Sequence, residues 1–112
     1  MKYSLLMLLV LTFNSCMKVD CNRLAEKRKN DEFLVVVYNK PNTGTYRFNI
    51  SGIDPISGEK REYKTNNGWY EYNSHISIGD TIIKRKGELI FNIHKKDTVL
   101  TFPWKCEGKI YK

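Results

Sequence analysis

The stretch GDTIIKRKGELIFNIHKKDTVLTF, residues 79–102, decides the fold class. Apolar and polar residues alternate in its centre, where Leu89, Phe91 and Ile93 share one face. A period of two residues is typical of β-strands with one buried face. Gly87 and the polar run 95–97 interrupt the alternation and predict turns. This stretch therefore predicts three short strands joined by turns.

The rest of the chain from residue 33 onward continues the same pattern. Turn-forming clusters lie at 40–44, 54–58 and 66–68. Between the turns, the strands are expected at 33–38, 46–50, 60–65, 69–72, 76–83, 89–94 and a last stretch that Pro103 ends. We expect an all-β domain over residues 33–112. Its architecture would be a small antiparallel meander of about seven short strands, closed into a barrel or a sandwich.

The amino terminus has the organisation of a bacterial secretory signal. Lys2 supplies a positive charge, and the apolar run 5–13 follows it, broken only by Thr12. Nine helical residues rise only about 13 Å, less than half of the ~30 Å hydrocarbon core of a membrane. Residues 1–15 therefore fit a cleavable signal peptide rather than a permanent membrane span.

Residues 13–16, Phe-Asn-Ser-Cys, resemble a lipobox, the cleavage site of bacterial lipoproteins. A small residue precedes the cysteine, as in the lipobox, whereas Phe13 stands where leucine is usual. The resemblance implies that Cys16 becomes the amino terminus and carries the lipid anchor. Two or three acyl chains give stable membrane attachment. The alternative is ordinary secretion with Cys16 lost or free.

Residues 16–32 are mostly charged or polar and are expected to form a lipid-anchored tether, with a short helix that Asn22 could cap. If lipid occupies Cys16, Cys21 and Cys106 remain as a pair in an oxidising compartment. A disulfide between them would stabilise a small domain by about 4 to 5 kcal/mol in the chain-entropy model. Free thiols are the alternative. No metal site is expected, because neither histidine has zinc-ligand spacing to a cysteine.

Three sequences in the carboxyl-terminal third, IGDTIIKRKGEL at 78–89, HKKDT at 94–98 and CEGK at 106–109, resemble small uncharacterised lipoproteins of Bacteroidetes-type bacteria. Those proteins join a lipobox and a short polar spacer to a β-rich body. The resemblance implies a fold and a place in the cell envelope, but no activity, ligand or cofactor. Acidic residues that direct many such lipoproteins to the cell surface are not evident after Cys16, which favours the periplasmic side.

The charge of the chain is positive. Its 112 residues contain 19 Lys and Arg against 12 Asp and Glu, a formal net charge of +7. Such a charge favours anionic partners, such as acidic polysaccharide or membrane phosphate. Solubility beside an anionic membrane is the simpler explanation, because long-range charge carries little specificity. We expect no specific binding of nucleic acid.

No motif in the sequence indicates catalysis. The glycines are spaced as turns, and neither HExxH nor GxSxG occurs. A Cys–His pair formed by folding, or a carboxylate pair of Glu71 and Asp80, remains open as the basis of a small hydrolase. We expect a non-enzymatic module without a cofactor that interacts with an envelope protein.

Aromatic and basic residues are interleaved in the third and fourth predicted strands. A candidate ligand surface consists of Tyr63, Trp69, Tyr72, Lys60, Arg61 and Lys64. Aromatic faces beside cations can stack on sugars or bases. The alternative function is therefore binding of a glycan or polyanion, such as polysaccharide or lipopolysaccharide. Packing of the same aromatics in the core is the competing interpretation.

Two tripeptides are similar to the O-glycosylation signal of exported proteins in the same bacterial group. They are Asp80-Thr81-Ile82 and Asp97-Thr98-Val99. The resemblance makes Thr81 and Thr98 candidate modification sites.

Overall fold

The computed structural model describes residues 19–66 and 68–112, which contain an α-helix, a 3₁₀ helix and seven strands. Helix α1 spans Cys21–Asn30, and the 3₁₀ helix spans Tyr70–His75. The strands are β1 Phe33–Asn39, β2 Arg47–Ile53, β3 Lys60–Asn66, β4 Thr81–Lys84, β5 Ile90–His94, β6 Val99–Cys106 and β7 Lys109–Tyr111.

The strands form one antiparallel sheet in the order β3-β2-β1-β4-β5-β6-β7, which confirms the prediction of an all-β fold of about seven short antiparallel strands. The prediction that Pro103 ends the last strand is wrong, because β6 continues to Cys106 and pairs there with β7, a strand that the sequence pattern does not predict. The sheet consists of two meanders that meet where β4 pairs with β1, so the order departs from a single meander at that connection. Strands β3 and β7 occupy the two edges of the described sheet. The sheet is therefore not closed into a barrel, and the barrel form of the predicted architecture is wrong.

The sheet curves around an aromatic core. Strands β2 and β5 are separated by β1 and β4, a spacing of about 14 Å in a flat sheet. The ring centroids of Phe48 in β2 and Phe91 in β5 are nevertheless only 5.6 Å apart. We call this concave side the inner face and the opposite side the outer face. The buried strand residues of the inner face include Phe33, Val35, Val37, Phe48, Ile50, Ile82, Phe91 and Ile93.

The predicted strand at 69–72 is wrong, because Trp69 precedes the 3₁₀ helix in a left-handed conformation with φ of 65°. The predicted strand at 76–83 is also shorter, since Ser77 and Asp80 form a turn in which the Asp80 carboxylate accepts from the Ser77 amide at 2.8 Å. Both departures lie in the crossover from β3 to β4. They place the aromatic residues of the crossover over the inner face.

Part of the predicted tether at 16–32 belongs to the folded domain as α1. The helix begins after Asp20, whose carboxylate accepts from the backbone amide of Arg23 at 3.1 Å. Asp20 is therefore the cap, and the prediction that Asn22 has this role is wrong. Ala25 is buried in the core. The helix thus covers apolar surface of the sheet, which a free tether would leave exposed.

A disulfide joins Cys21, the first residue of α1, to Cys106, the last residue of β6. The pairing predicted from the cysteine count is thereby confirmed. Both sulfur-bearing residues are buried, and their sequence separation is 85. The bond holds α1 against the end of the sheet. The predicted signal peptide at 1–15 and the candidate lipid site Cys16 lie outside the described residues.

Candidate functional site

The aromatic residues of the predicted ligand surface are part of the core. Trp69 is fully buried, and Tyr72 is only 9% exposed. Tyr63 packs on Phe33 with ring centroids 5.1 Å apart. The prediction of an aromatic binding surface is therefore wrong for Trp69 and Tyr72, because burying these large rings on the inner face stabilises a small domain, and Tyr63 is half-buried against the same core. The competing interpretation of core packing describes the structure.

The basic residues of that predicted surface remain exposed on the edge strand β3. Lys64 Nζ lies 2.8 Å from a carboxylate oxygen of Glu62, and Arg61 Nη2 lies 3.0 Å from one of Glu59. Lys60 is exposed at the beginning of the strand. Alternating charges on an edge strand discourage pairing with another chain. The structure thus separates these cations from the aromatic rings of Trp69 and Tyr72.

A polar cluster for which the sequence has no local signal lies at the end of α1. The indole Nε1 of Trp69 donates to Asp31 Oδ2 at 2.8 Å, and Arg28 Nε lies 3.2 Å from the same oxygen. A side chain at Gly68 would collide with the Arg28 guanidinium, since an added Cβ would lie 2.0 Å from it. These contacts hold the β3–β4 crossover against the end of the helix.

Lys84 is a fully buried lysine beside this cluster. Its Nζ donates to the backbone carbonyl oxygens of Lys29 and Arg85, each at 2.9 Å. Burial lowers the pKa of Lys84, although nearby carboxylates, Asp31 first among them, act in the opposite direction. Lowered pKa values are also found in lysine nucleophiles. Here the amine is enclosed and hydrogen-bonded, so the arrangement is that of a structural cap on the end of α1.

Tyr72 joins the 3₁₀ helix to β6. Its hydroxyl donates to the backbone carbonyl oxygen of Pro103, and its ring stacks on Phe102 with centroids 4.3 Å apart. Burial, and to a lesser extent the charge of Glu71, raises the pKa of Tyr72 to about 12. The phenol is therefore a neutral donor that fixes the crossover to the sheet.

We expect Tyr72→Phe to reduce the loss of stability at alkaline pH. A tyrosine ionises at about 10 in the unfolded chain but at about 12 at this folded site. The unfolded state thus loses its proton first, so the free energy of unfolding falls as pH rises through this window. Urea unfolding between neutral pH and about pH 12 should show a shallower alkaline decline in the variant.

The matched control for this prediction is Tyr38→Phe, because the Tyr38 side chain is 44% exposed at the end of β1. Its stability should follow the wild-type pH curve. At neutral pH, Tyr72→Phe should cost about 1 kcal/mol, the usual contribution of one hydrogen bond. Parallel pH curves for wild type and Tyr72→Phe would contradict the structural role of the phenol.

The two carboxylates considered as a catalytic pair have separate local partners. Asp80 is buried, and one of its carboxylate oxygens lies 2.5 Å from Lys95 Nζ. Burial raises the pKa of Glu71, and the nearby charge of Lys105 opposes this effect. Asp80 is therefore not a solvated acid but a structural residue, since it also accepts from the Ser77 amide in the turn before β4.

The histidines and cysteines also occupy separate places. His75 packs on Phe102 with ring centroids 4.9 Å apart, whereas His94 lies opposite Thr81 in the β4–β5 pairing. The sulfurs of Cys21 and Cys106 are bonded to each other, so neither is a thiolate that a histidine could activate. Residues 19–66 and 68–112 contain no group of three His, Cys, Asp or Glu side chains that could hold a metal ion. Within the same residues, every helix is too short or too polar to cross a membrane.

The two candidate glycosylation sites differ in accessibility. Thr98 and its neighbours Asp97 and Val99 are exposed at the β5–β6 turn. Thr81 is half-buried at the beginning of β4, and the residues on both sides of it are buried. An enzyme that modifies the folded chain would reach Thr98 more readily. Modification of either threonine remains a prediction.

The outer face of the sheet carries apolar side chains that contact solvent. Both α1 and the 3₁₀ helix contribute buried residues to the core on the inner face. Leu34 and Ile83 form a half-buried pair across β1 and β4 on the outer face. They line a groove of about 460 Å³ together with Glu32, Arg85 and Lys86. A second groove, of about 350 Å³, is lined by residues that include Ile90, Pro103, Ile110 and Lys112.

These two grooves are surface depressions that could hold a ligand or a segment of a partner. They are formed by strand side chains and by the β4–β5 turn rather than by a nucleophile with a base. The chemistry they present is apolar contact beside charged side chains of both signs, Glu32 with Arg85 and Lys86 in the first groove and Glu88 with Lys112 in the second. Comparison with known proteins adds no candidate function: no protein-family model, no curated protein and no solved structure matches the chain.

Proposed function

We propose that the chain is a lipid-anchored protein of the bacterial cell envelope that acts as a non-enzymatic interaction module. The observation that carries this proposal is the Cys21–Cys106 disulfide, because structural disulfides of small domains form and persist in oxidising compartments outside the cytosol. Export agrees with the signal-like residues 1–15. Cys16, the candidate lipid site, precedes the disulfide-bonded Cys21 by five residues.

The structural roles of the buried polar side chains favour interaction over catalysis. The buried Lys84 amine and the Tyr72 phenol both donate to backbone carbonyls. The described cysteines are bonded to each other. What remains accessible includes apolar side chains on the outer face and two grooves that basic and acidic residues line. Glycan or polyanion binding remains an alternative through charge alone, since the rings of Trp69 and Tyr72 are not accessible.

The proposal predicts the mass of the mature protein extracted from membranes. The mass should correspond to a chain that begins at Cys16, with a diacylglyceryl group and an amide-linked acyl chain added. The disulfide should remove two hydrogens. Cys16→Ala should abolish the acyl mass, whereas Cys21→Ala should retain it, because Cys21 is bonded to Cys106. Recovery of an unlipidated chain from the culture medium would contradict the anchor.

A further inference from the structure

Four residues of the outer face form a patch beside the disulfide: Ile90, Pro103, Lys105 and Ile110. Ile90 pairs with Pro103 across β5 and β6, and Lys105 pairs with Ile110 across β6 and β7. Trp104, between Pro103 and Lys105, is buried in the core, so its two neighbours point to the outer face. Ile90 is 41% and Ile110 is 51% exposed. We call these four residues the disulfide-side patch.

The position of this patch relative to the proposed anchor is limited by the length of the chain. Cys106 follows the patch residue Lys105 directly and is bonded to Cys21. Cys21 follows Cys16 by five residues, and five extended residues span at most about 18 Å. A lipid on Cys16 would therefore keep the patch close to the headgroups. The other end of β6, at Val99, lies about 20 Å further along the strand.

The charge around the patch is complementary to an anionic membrane. The basic residues of the patch and of the two turns that adjoin it are Arg85, Lys86, Lys105 and Lys109, against the carboxylates of Glu88 and Glu107 in the same turns and of Glu71, whose charge interacts with that of Lys105. Within the described chain, none of these four cations forms an ion pair with a carboxylate. Each basic residue near an anionic surface strengthens membrane binding by roughly fivefold. This attraction decays over about 8 Å at physiological salt. It therefore acts on the disulfide-side patch, because the tether already holds this patch near the membrane.

We infer that the disulfide-side patch lies against a bilayer that contains anionic phospholipids. Ile90 and Ile110 contact the headgroup region, and Lys105 lies beside lipid phosphates. This inference rests on the proposed anchor at Cys16 and adds an orientation to it. The opposite end of the sheet, which includes Ile78 and Val99, faces away from the membrane and is available to other envelope components.

The experiment uses tryptophan fluorescence of the full lipidated protein in vesicles. The vesicles contain phosphatidylglycerol and a phosphatidylcholine with brominated acyl chains, which quench indoles that approach them. The reporters are Ile110→Trp in the patch and Ile78→Trp at the far end, where Ile78 is 67% exposed. Trp69 and Trp104 are buried and supply the same background in both proteins. We expect the quenching gained with Ile110→Trp to be at least twice that gained with Ile78→Trp.

Two charge reversals test the electrostatic part of the inference. Combined with Ile110→Trp, Lys105→Glu should reduce the quenching by at least half. Lys96→Glu makes the same change of charge in the exposed β5–β6 turn and should leave the quenching unaltered. Replacing phosphatidylglycerol with neutral lipid should act like Lys105→Glu. Denaturation midpoints of all variants would verify that they fold.

The outcomes separate the inference from the proposed function. Equal quenching of the two reporters, in protein that floats with the vesicles and carries the acyl mass, would overturn the orientation and leave the anchor intact. Equal effects of Lys105→Glu and Lys96→Glu would likewise exclude a specific role of the patch charge. A chain without acyl mass that does not float would overturn the proposed anchor, and the inference with it.

Discussion

Cys106→Ser is expected to lower the free energy of unfolding by about 4 to 5 kcal/mol, because the Cys21–Cys106 bond closes a loop with a sequence separation of 85. In the chain-entropy model, the bond acts by restricting the unfolded chain. Small domains are typically stable by only about 5 to 15 kcal/mol, so the variant should be close to unfolding at physiological temperature. Urea unfolding of the mature chain, followed by circular dichroism, measures the change.

The control for the disulfide is the double variant Cys21→Ser/Cys106→Ser, which removes the free thiol that the single variant leaves. Single and double variants should have similar stability, because each lacks the same bond. Wild-type protein unfolded in the presence of a reductant should have a free energy of unfolding close to that of both variants, because the reductant breaks the same bond. An unchanged midpoint after Cys106→Ser would mean that the covalent bond does not limit the unfolded chain.

Trp69→Ala is expected to lower the free energy of unfolding by about 3 to 5 kcal/mol, the usual cost of removing a buried tryptophan side chain. Trp69 is fully buried, stacks on Phe91 at a centroid distance of 5.4 Å, and donates its indole N–H to Asp31. The substitution would leave a cavity in the inner face and an Asp31 carboxylate without this donor. Denaturant unfolding measures the effect, and the dependence of the free energy of unfolding on denaturant concentration in the wild type serves as the reference.

Two further variants separate the packing contribution of Trp69 from its hydrogen bond. Trp69→Phe retains an aromatic ring and loses the donor, so we expect a smaller loss of about 1 to 3 kcal/mol. Tyr46→Ala removes an aromatic that is 75% exposed and should change stability by no more than about 0.5 kcal/mol. If Trp69→Ala left stability unchanged and removed a binding activity, the result would contradict core packing of Trp69 and support its role in a ligand surface.

The strands that the sequence predicts well are those with clear alternation and local turn signals. In β5, Phe91 and Ile93 are buried on the inner face, as their two-residue spacing predicts. In β1, the apolar run begins at Phe33, where the strand also begins in the structure. The number of cysteines predicts the pairing of Cys21 with Cys106 if lipid occupies Cys16, and the structure decides for this bond over the alternative of free thiols. These features depend on local periodicity and on chain composition.

The segment around Trp69 shows why local signals fail at the crossover. Asn66-Asn67-Gly68 has the composition of a tight hairpin turn. The structure instead has a left-handed Trp69, whose indole donates to Asp31, and a close approach of Arg28 to Gly68. These partners lie some forty residues earlier in the chain, so no short window of sequence contains the interactions that decide the conformation.

Helix α1, which lies within the predicted tether, also depends on contacts that are distant in the sequence. Ten mostly polar residues form too short a helix to be stable alone in water. Its stability in this protein comes from burial of Ala25, from the disulfide at Cys21 and from the hydrogen bond that Lys84 donates to the Lys29 carbonyl. All three depend on the sheet. A helix of this kind cannot be distinguished from a tether until the sheet is formed.

By itself, the sequence determined an all-β domain of short strands and indicated Cys21 and Cys106 as a cysteine pair, because alternation and cysteine number are local or compositional properties. It did not indicate β7, and it predicted a strand at 69–72 that the structure lacks. The export signal and the Cys16 anchor are predictions from the same local evidence. Only the tertiary structure decided that Trp69 and Tyr72 are buried, that the sheet stays open, and that the outer face carries an apolar and basic patch beside the disulfide. The physical reason is that burial and curvature result from contacts between residues far apart in the chain.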